Sequence, residues 1–359
     1  MIAYVINPGS TSTKLALARI QGSETPDLPG KLRVTLEKHE VSHPDLGGSL
    51  EERLPRVREL VARATRDWPA PSAIVGRGGL VGPVAAGTYR VTSELVAFSL
   101  ASPFGEHASN LGAALAFELA SHHGVPAFIV DPPTVDELLP EARVSGVAGI
   151  ERQSRFHALN ARAVARRAAH EVGKRFQDAR IVVAHLGGGV SVTAFKGGRA
   201  IDTTGALLDE GPFSPQRAGT IPVRGLLDLV YSTPREDLER RLTQDSGLKG
   251  LTGTADLREL ERRERTDADV RLAIEAFVHA VSKSIGAYSA IQGRPDAIVM
   301  TGGVARWEAL VDRVEANVGW IAPVMVFAGE LELEALAEGA GRVLLGVESA
   351  HEWKPRERV

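Results

Sequence analysis

Val5-Ile6-Asn7-Pro8-Gly9-Ser10-Thr11-Ser12-Thr13-Lys14-Leu15-Ala16-Leu17-Ala18 sets a Gly/Ser/Thr turn and one lysine between two short apolar runs. Gly9 lets the backbone turn with φ > 0 and come close to a ligand. The four hydroxyls donate hydrogen bonds, and Lys14 adds a cation; together they have the chemistry of a phosphate cradle. A Walker-type P-loop needs a second glycine before the lysine, a Ser or Thr after it, and a helix to follow. Here Leu15 follows, and the pattern alternates as a strand. The segment is therefore read as strand–turn–strand, with an ordinary Ser/Thr-rich hairpin as the plainer alternative.

The same pattern returns about half a chain later. Arg180-Ile181-Val182-Val183-Ala184-His185-Leu186-Gly187-Gly188-Gly189-Val190-Ser191-Val192-Thr193-Ala194-Phe195 again gives strand, Gly/Ser turn, strand. It continues through the turn 196–199 into a third antiparallel strand over 200–204. Two similar halves, each opening with a hairpin tipped toward phosphate, predict a cleft with nucleotide between them. That is the logic of the two-lobed actin-like ATPase (ribonuclease H-like) fold, an α/β architecture with a duplicated sheet-and-helix core. The superfamily of actin-like sugar kinases, Hsp70 and acetate kinases begins with such a strand–turn–strand loop. Apolar residues at three- and four-residue spacing predict helices over 112–122, 154–175, 226–242 and 267–292. In the last, Ala276, Ala280, Ser284, Ala287 and Ala290 suit either a buried core helix or a close helix–helix interface. Residues 21–30 read as a loop or hairpin tip, and the charged tail 351–359 as solvated. The lobes are expected at 1–150 plus 334–359, with a C-terminal helix over 334–348, and at 151–333.

The chain has 359 residues, 43% hydrophobic and 24% charged, which suits two globular domains. A net charge of −3 argues against a nucleic-acid-coating surface. Without cysteine there is no disulfide, thiolate nucleophile or zinc thiolate site, so catalysis must use hydroxyl, imidazole, carboxylate or guanidinium groups. No basic n-region opens the sequence, and no apolar run reaches the ~18 residues of a membrane span. The expectation is a cytoplasmic protein with neither membrane nor nucleic-acid partners.

Gly187, Gly188 and Gly189 imitate a dinucleotide fingerprint, but Val192 stands where that motif needs its third glycine, and strand alternation wins. His185, just before the turn, reads either as a cleft-facing group or as a structural histidine. Downstream, Asp209-Glu210-Gly211-Pro212-Phe213-Ser214-Pro215-Gln216-Arg217-Ala218-Gly219-Thr220 is a rigid Gly/Pro loop that presents a single arginine. A guanidinium held this way suits a transferring phosphoryl group. Ala297-Ile298-Val299-Met300-Thr301-Gly302-Gly303 is a buried strand ending in two glycines before a helix over 307–317, and backbone this bare can lie flat against adenine or ribose. Phosphate 1, phosphate 2 and adenosine sites thus follow one another in order.

Several further segments, in order and from end to end, are similar to the butyrate kinases of the acetokinase family. They are Asn7 to Lys14, Val75-Gly76-Arg77-Gly78-Gly79-Leu80, Gly87-Thr88-Tyr89-Arg90-Val91, His107-Ala108-Ser109-Asn110-Leu111-Gly112, Phe128-Ile129-Val130-Asp131-Pro132 and Phe156-His157-Ala158-Leu159-Asn160, with the His185 and Arg217 segments. Acetate kinases are longer and carry His-Arg-Val-Val-His-Gly-Gly where this chain has Gly76-Arg77-Gly78-Gly79-Leu80, which favours the butyrate branch. The resemblance implies ATP/ADP and Mg²⁺ as cofactors, a short-chain carboxylate or acyl phosphate as substrate, and a homo-oligomer, a dimer or higher. It puts Asn7, Ser10, Ser12 and Lys14 near the phosphates, Arg77 on the substrate carboxylate and Asp131 in the catalytic centre. His107 matches a histidine before an Asn-Leu pair, and His157 and Arg217 match groups that stabilise the transferring phosphoryl. His185, Gly187, Gly188, Gly189, Gly302 and Gly303 take the nucleotide. A magnesium-associated glutamate falls on Glu332, or on Glu330 if the register differs by two; a charged helix start is the plainer reading.

A carboxylic acid with a pKa of about 4.8 is already ionised at neutral pH and needs no general base, so Asp131 is expected to position metal or substrate rather than take a proton. Closure of the lobes is expected to exclude water. Each buried methylene is worth about 0.8 kcal/mol, so acetate and butyrate differ by about 15-fold from burial alone. The alternatives are an acetate or propionate kinase, a sugar kinase of the same superfamily, which would need a base, and a nucleotide-binding regulator.

Overall fold

The computed structural model describes residues 1–22, 32–44 and 47–355. In chain order it runs β1 (Ile2–Pro8), β2 (Ser12–Gln21), β3 (Arg33–Ser42), α1 (Leu50–Thr65), β4 (Ala73–Arg77), β5 (Thr88–Arg90), α2 (Ser93–Ala101), α3 (Leu111–His123) and β6 (Ala127–Val130). Then come α4 (Pro140–Arg143), α5 (Ala158–Glu171), β7 (Arg180–Leu186), β8 (Val190–Lys196), β9 (Arg199–Thr203), α6 (Val223–Ser232), α7 (Arg235–Gln244), α8 (Gly247–Thr252), α9 (Leu257–Arg263), α10 (Ala268–Gln292), β10 (Ala297–Gly302), α11 (Glu308–Val318) and β11 (Val324–Ala328). The chain ends with α12 (Glu332–Leu344) and β12 (His351–Glu352).

Met1–Asp136 and Leu331–Val359 make one compact unit, and Glu137–Glu330 the other. In the first, the sheet order is β12-β5-β6-β4-β1-β2-β3. Strands β1, β2 and β3 form an antiparallel meander, and β4 and β6 continue parallel to β1. The apolar runs of β1 and β2 are buried on both faces. Tyr4, Ile6, Leu15 and Leu17 join Leu111 and Leu115 of α3. On α12, glycines let the helix lie close to the sheet: a Cβ on Gly339 would press on Val130, and one on Gly341 on Ile20.

The second unit has the order β11-β10-β7-β8-β9. Again a meander, β7-β8-β9, is followed by two parallel strands, β10 and β11. The run β3-β2-β1-β4-β6 thus has its counterpart in β9-β8-β7-β10-β11, the duplication expected of an actin-like fold. Val182, Ala184, Val192 and Ala194 pack against Ile274, Phe277, Val281 and Ile285 of α10.

The units divide at 136/137 and 330/331 rather than at 150/151 and 333/334. Residues 137–150 go with the second unit because their polar groups are bound there. Leu139 N–H donates to Ile201 O (3.0 Å), and Glu137 Oε2 accepts from Ala200 N (3.0 Å) and pairs with Arg162 (3.1 Å). The helix expected over 226–242 is two, α6 and α7, because Pro234 offers no N–H and Thr233 before it is extended, at φ −134°. The helix read over 154–175 starts only at Ala158, after the non-helical cap His157, and gives way at Val172, before the positive-φ Gly173. The C-terminal helix runs earlier than 334–348 and ends at Leu344, where Arg342 O accepts from the N–H groups of Val347 and Glu348 around the positive-φ Gly346.

The tail is not wholly solvated. His351 and Glu352 pair with β5, and the buried Trp353 donates its indole N–H to Val81 O (3.1 Å). The expected loop 21–30 lies mostly outside the described residues. On α10, Ala276, Ala280 and Ser284 are half-buried and Ala287 and Ala290 exposed, so the core face belongs to the larger residues beside them.

Candidate active site

In the first unit, β1, β4 and β6 are neighbouring parallel strands, with Ile6 opposite Gly76 and Arg77 opposite Val130. Asn7, Arg77 and Asp131 therefore stand along one carboxyl-end edge, where open α/β sheets bind their ligands. Arg77 Nη1 lies 2.8 Å from Glu332 Oε1 and 2.9 Å from Oε2, and Asn7 Nδ2 donates to Oε2 at 2.7 Å. Glu332 is the first residue of α12, so the helix dipole favours its charge as well. These three residues lie in separate segments of the sequence, and the fold brings them together.

Arg77 is held by close backbone packing. A Cβ on Gly76 would overlap Gly112 O, and one on Gly112 would overlap Arg77 O, so α3 can seat against the end of β4 only with glycine at both positions. Asp131 is buried and adopts φ +38°, rare for a residue with a side chain. It is fixed by Gly87, whose N–H donates to Asp131 Oδ1 (2.7 Å) and whose carbonyl accepts from Asp131 N (3.0 Å). His107 caps the short 3₁₀ turn at 108–110, with Nδ1 2.7 Å from Ser109 Oγ.

Ser10 and Lys14 are exposed on the first hairpin, and Ser12 Oγ donates to Glu40. What holds this turn lies outside the motif itself. Arg53 of α1 donates to Ser10 O (2.8 Å), and the buried His43 meets Thr13 Oγ1 (2.9 Å) while its N–H donates to Thr11 O (2.8 Å). Burial, helped by Arg53, pulls the His43 imidazole below its usual range, against its own backbone hydrogen bond.

In the second unit, β7, β10 and β11 repeat the arrangement, and Gly187–Gly189, Gly302–Gly303 and Glu330 follow their carboxyl ends. Around Gly188 and Gly303 a Cβ would meet nothing within 4 Å, so both offer bare backbone to a ligand. The Gly/Pro loop folds onto the glycine turn: Ser214 Oγ donates to Gly188 O (2.6 Å) and accepts from Arg217 N (3.0 Å). Arg217 donates to Ala206 O, and its Nη1 lies where a Cβ on Gly189 would fall. Burial pulls its pKa below the ordinary guanidinium range. His157 and His185 stack with ring centroids 3.7 Å apart and planes 9° from parallel. His157 Nδ1 meets Ser191 Oγ (2.9 Å), and His185 Nε2 lies 3.9 Å from Glu330 Oε1. The two glutamates left open by the sequence thus differ: Glu332 faces Arg77 in one unit, and Glu330 faces His185 in the other.

A relative from Deinococcus radiodurans, named a probable butyrate kinase, is 53% identical over 99% of this chain and 94% of its own length. The model of the acetokinase family matches residues 140–319. The chain belongs to the acetokinase family. It is accordingly a carboxylate kinase. The acetate kinase of Porphyromonas gingivalis superposes with a TM-score of 0.74 at 21% identity, covering 94% of this chain and 98% of that one. A propionate kinase from Francisella tularensis gives the same TM-score, identity and coverage. These likenesses establish the actin-like fold.

Acetokinases use ATP or ADP, generally with Mg²⁺. Among the described residues no three His, Asp or Glu side chains stand together as a metal cage. Asp131, just after β6, and Glu332, first in α12, are carboxylates at the edge where Asn7 and Arg77 stand.

Proposed function

We propose that this acetokinase is a butyrate kinase that catalyses reversible transfer of the γ-phosphoryl group between ATP and butyrate, and accepts neighbouring or branched short-chain acids. The observation that carries this reading is the 53% identity over 99% of the chain to a relative named a probable butyrate kinase. The clasp of a carboxylate by Arg77 supports it, since Arg77 already engages both oxygens of Glu332 beside Asn7. A substrate carboxylate would meet the same guanidinium, which offsets the repulsion between two anions.

The acid arrives ionised and is itself the nucleophile, so no residue has to remove a proton. Asn7, Ser10, Ser12 and Lys14 attend one set of phosphates, and the bare backbone of Gly187 to Gly189 another. Gly302 and Gly303 take the adenosine. Arg217 and His157 stabilise the phosphoryl group as charge spreads over its oxygens. Mg²⁺, when bound, would neutralise phosphate charge, with Asp131 and Glu332 as its protein carboxylates. The oligomer proposed from the family is a dimer or higher, and the compartment the cytoplasm.

The test is the hydroxamate assay for acyl phosphate, run with ATP, Mg²⁺ and a panel of acetate, propionate, butyrate, isobutyrate and valerate. The highest kcat/KM is expected on four-carbon or branched acids. Acetate as the best substrate would move the assignment to an acetate kinase, and no hydroxamate with any acid would overturn it.

A further inference from the structure

Helix α5 is alanine-rich, and its buried residues are apolar except for Arg162 and Asn160, the latter only 1% exposed. A buried amide must find partners. Asn160 Nδ2 lies 3.0 Å from His185 Nδ1 and 3.1 Å from Thr301 Oγ1. One side chain thereby ties the helix that follows His157 to the strand before the glycine turn and to the strand that ends in Gly302.

Proton counting fixes the chemistry. Thr301 has one hydroxyl proton, and it goes to Gly329 O at 3.0 Å. Toward Asn160 its oxygen can then only accept, so the amide nitrogen faces it. The second proton of that nitrogen points at His185 Nδ1, which must also accept. A neutral imidazole that accepts at Nδ1 carries its proton on Nε2. His185 Nε2 is the atom that a Cβ on Gly187 would meet, at 3.0 Å, and it lies 3.9 Å from Glu330 Oε1.

We infer that Asn160 is a positioning residue that locks His185 in the Nε2–H tautomer, so that the imidazole presents a donor, not a lone pair, toward the start of the glycine turn. A donor there attracts phosphate oxygens, whereas the other tautomer would turn a lone pair on them. The stack with His157 holds the ring plane, and Asn160 chooses which nitrogen bears the proton. The catalytic consequence rests on the kinase reading above; the tautomer does not.

The test is ¹⁵N spectroscopy of histidine-labelled protein at neutral pH, with His185 assigned by the signals that disappear in His185→Gln. In the unaltered protein, Nδ1 should give a pyridine-type resonance and Nε2 a pyrrole-type one. Aspartate can only accept, so Asn160→Asp should convert Nδ1 to pyrrole type and lower kcat by about 10–100-fold, the usual worth of an orienting partner, with KM for the acid little changed. A protonated Nδ1 in the unaltered protein would overturn the proposal without any variant having to fold. So would an Asn160→Asp protein whose His185 spectrum is unchanged. The expected spectra without acyl phosphate formation from any acid would uphold the tautomer lock and sink the kinase reading instead.

Discussion

Replacing Arg152 with methionine should destabilise the second unit more at pH 8 than at pH 5. Arg152 binds Glu210 Oε1 (2.5 Å), Ala142 O (2.5 Å), Asp202 Oδ1 (2.9 Å), Thr203 O (2.8 Å) and Tyr288 OH (3.3 Å). Burial works against its charge, but the hydrogen bond and field of Glu210, then Asp202, hold the guanidinium above its ordinary pKa. Asp202 is 6% exposed, and burial already raises its pKa against the pull of Arg152. Removing one partner of such a pair leaves a buried charge uncompensated, at a cost of about 3–5 kcal/mol. Without the arginine, the Asp202 pKa rises further in the folded state. A carboxyl raised on folding favours the folded state when protonated, so stability is lost as pH climbs from its unfolded pKa through the folded one. The deficit of Arg152→Met should therefore shrink by up to about 1.4 kcal/mol for each unit that pH falls within that window. Urea unfolding at several pH values measures it. Arg152→Met with Asp202→Asn should recover much of the loss, because the stranded charge is gone. A deficit below about 1 kcal/mol, or one that is flat with pH, would refute the reasoning.

Arg217→Ala should lower kcat by about 10²–10³-fold while KM for either substrate moves little, and steady-state kinetics in which only KM changes would contradict its role at the transferring phosphoryl group. Gly112→Ala puts a methyl group into Arg77 O, so α3 must shift; a loss of about 1–3 kcal/mol in unfolding and a raised KM for the acid are expected, and neutral behaviour in both would show that the glycine contact is not what seats Arg77. Arg53→Ala removes the hydrogen bond to Ser10 O and should raise KM for ATP with a stability loss of about 1.5–3 kcal/mol, checked by kinetics and denaturation together.

Local chemistry was legible in the sequence, and long-range geometry was not. The two hairpins could be read because strand alternation and glycine turns are properties of a dozen consecutive residues, and their repetition disclosed the duplicated sheet. The break at Pro234 was equally local and was there to be read: a proline in the middle of an apolar pattern costs a helix its hydrogen bond, whatever the spacing of the leucines around it. The place of segment 137–150 was hidden for the opposite reason. Its place depends on Glu137, Leu139 and Ala142 finding Arg162, Ala200, Ile201 and Arg152, partners up to 63 residues away.

The site shows the same division more sharply. Asn7, Arg77 and Glu332 each carried a motif, but only the fold could show that the glutamate, 255 residues from Arg77, occupies the arginine that a substrate carboxylate would need. Glu332 has an observed part and a proposed one. It neutralises Arg77 when no acid is present, so the guanidinium is not left half-buried with its charge unmet. On the roles proposed above, a substrate carboxylate, an anion of the same kind, would compete with Glu332 for Arg77, and a displaced Glu332 would be free to attend Mg²⁺. Asn160 is the counterexample, since its importance was signalled locally by a single amide in an alanine-rich, core-facing helix, and only its partners were hidden.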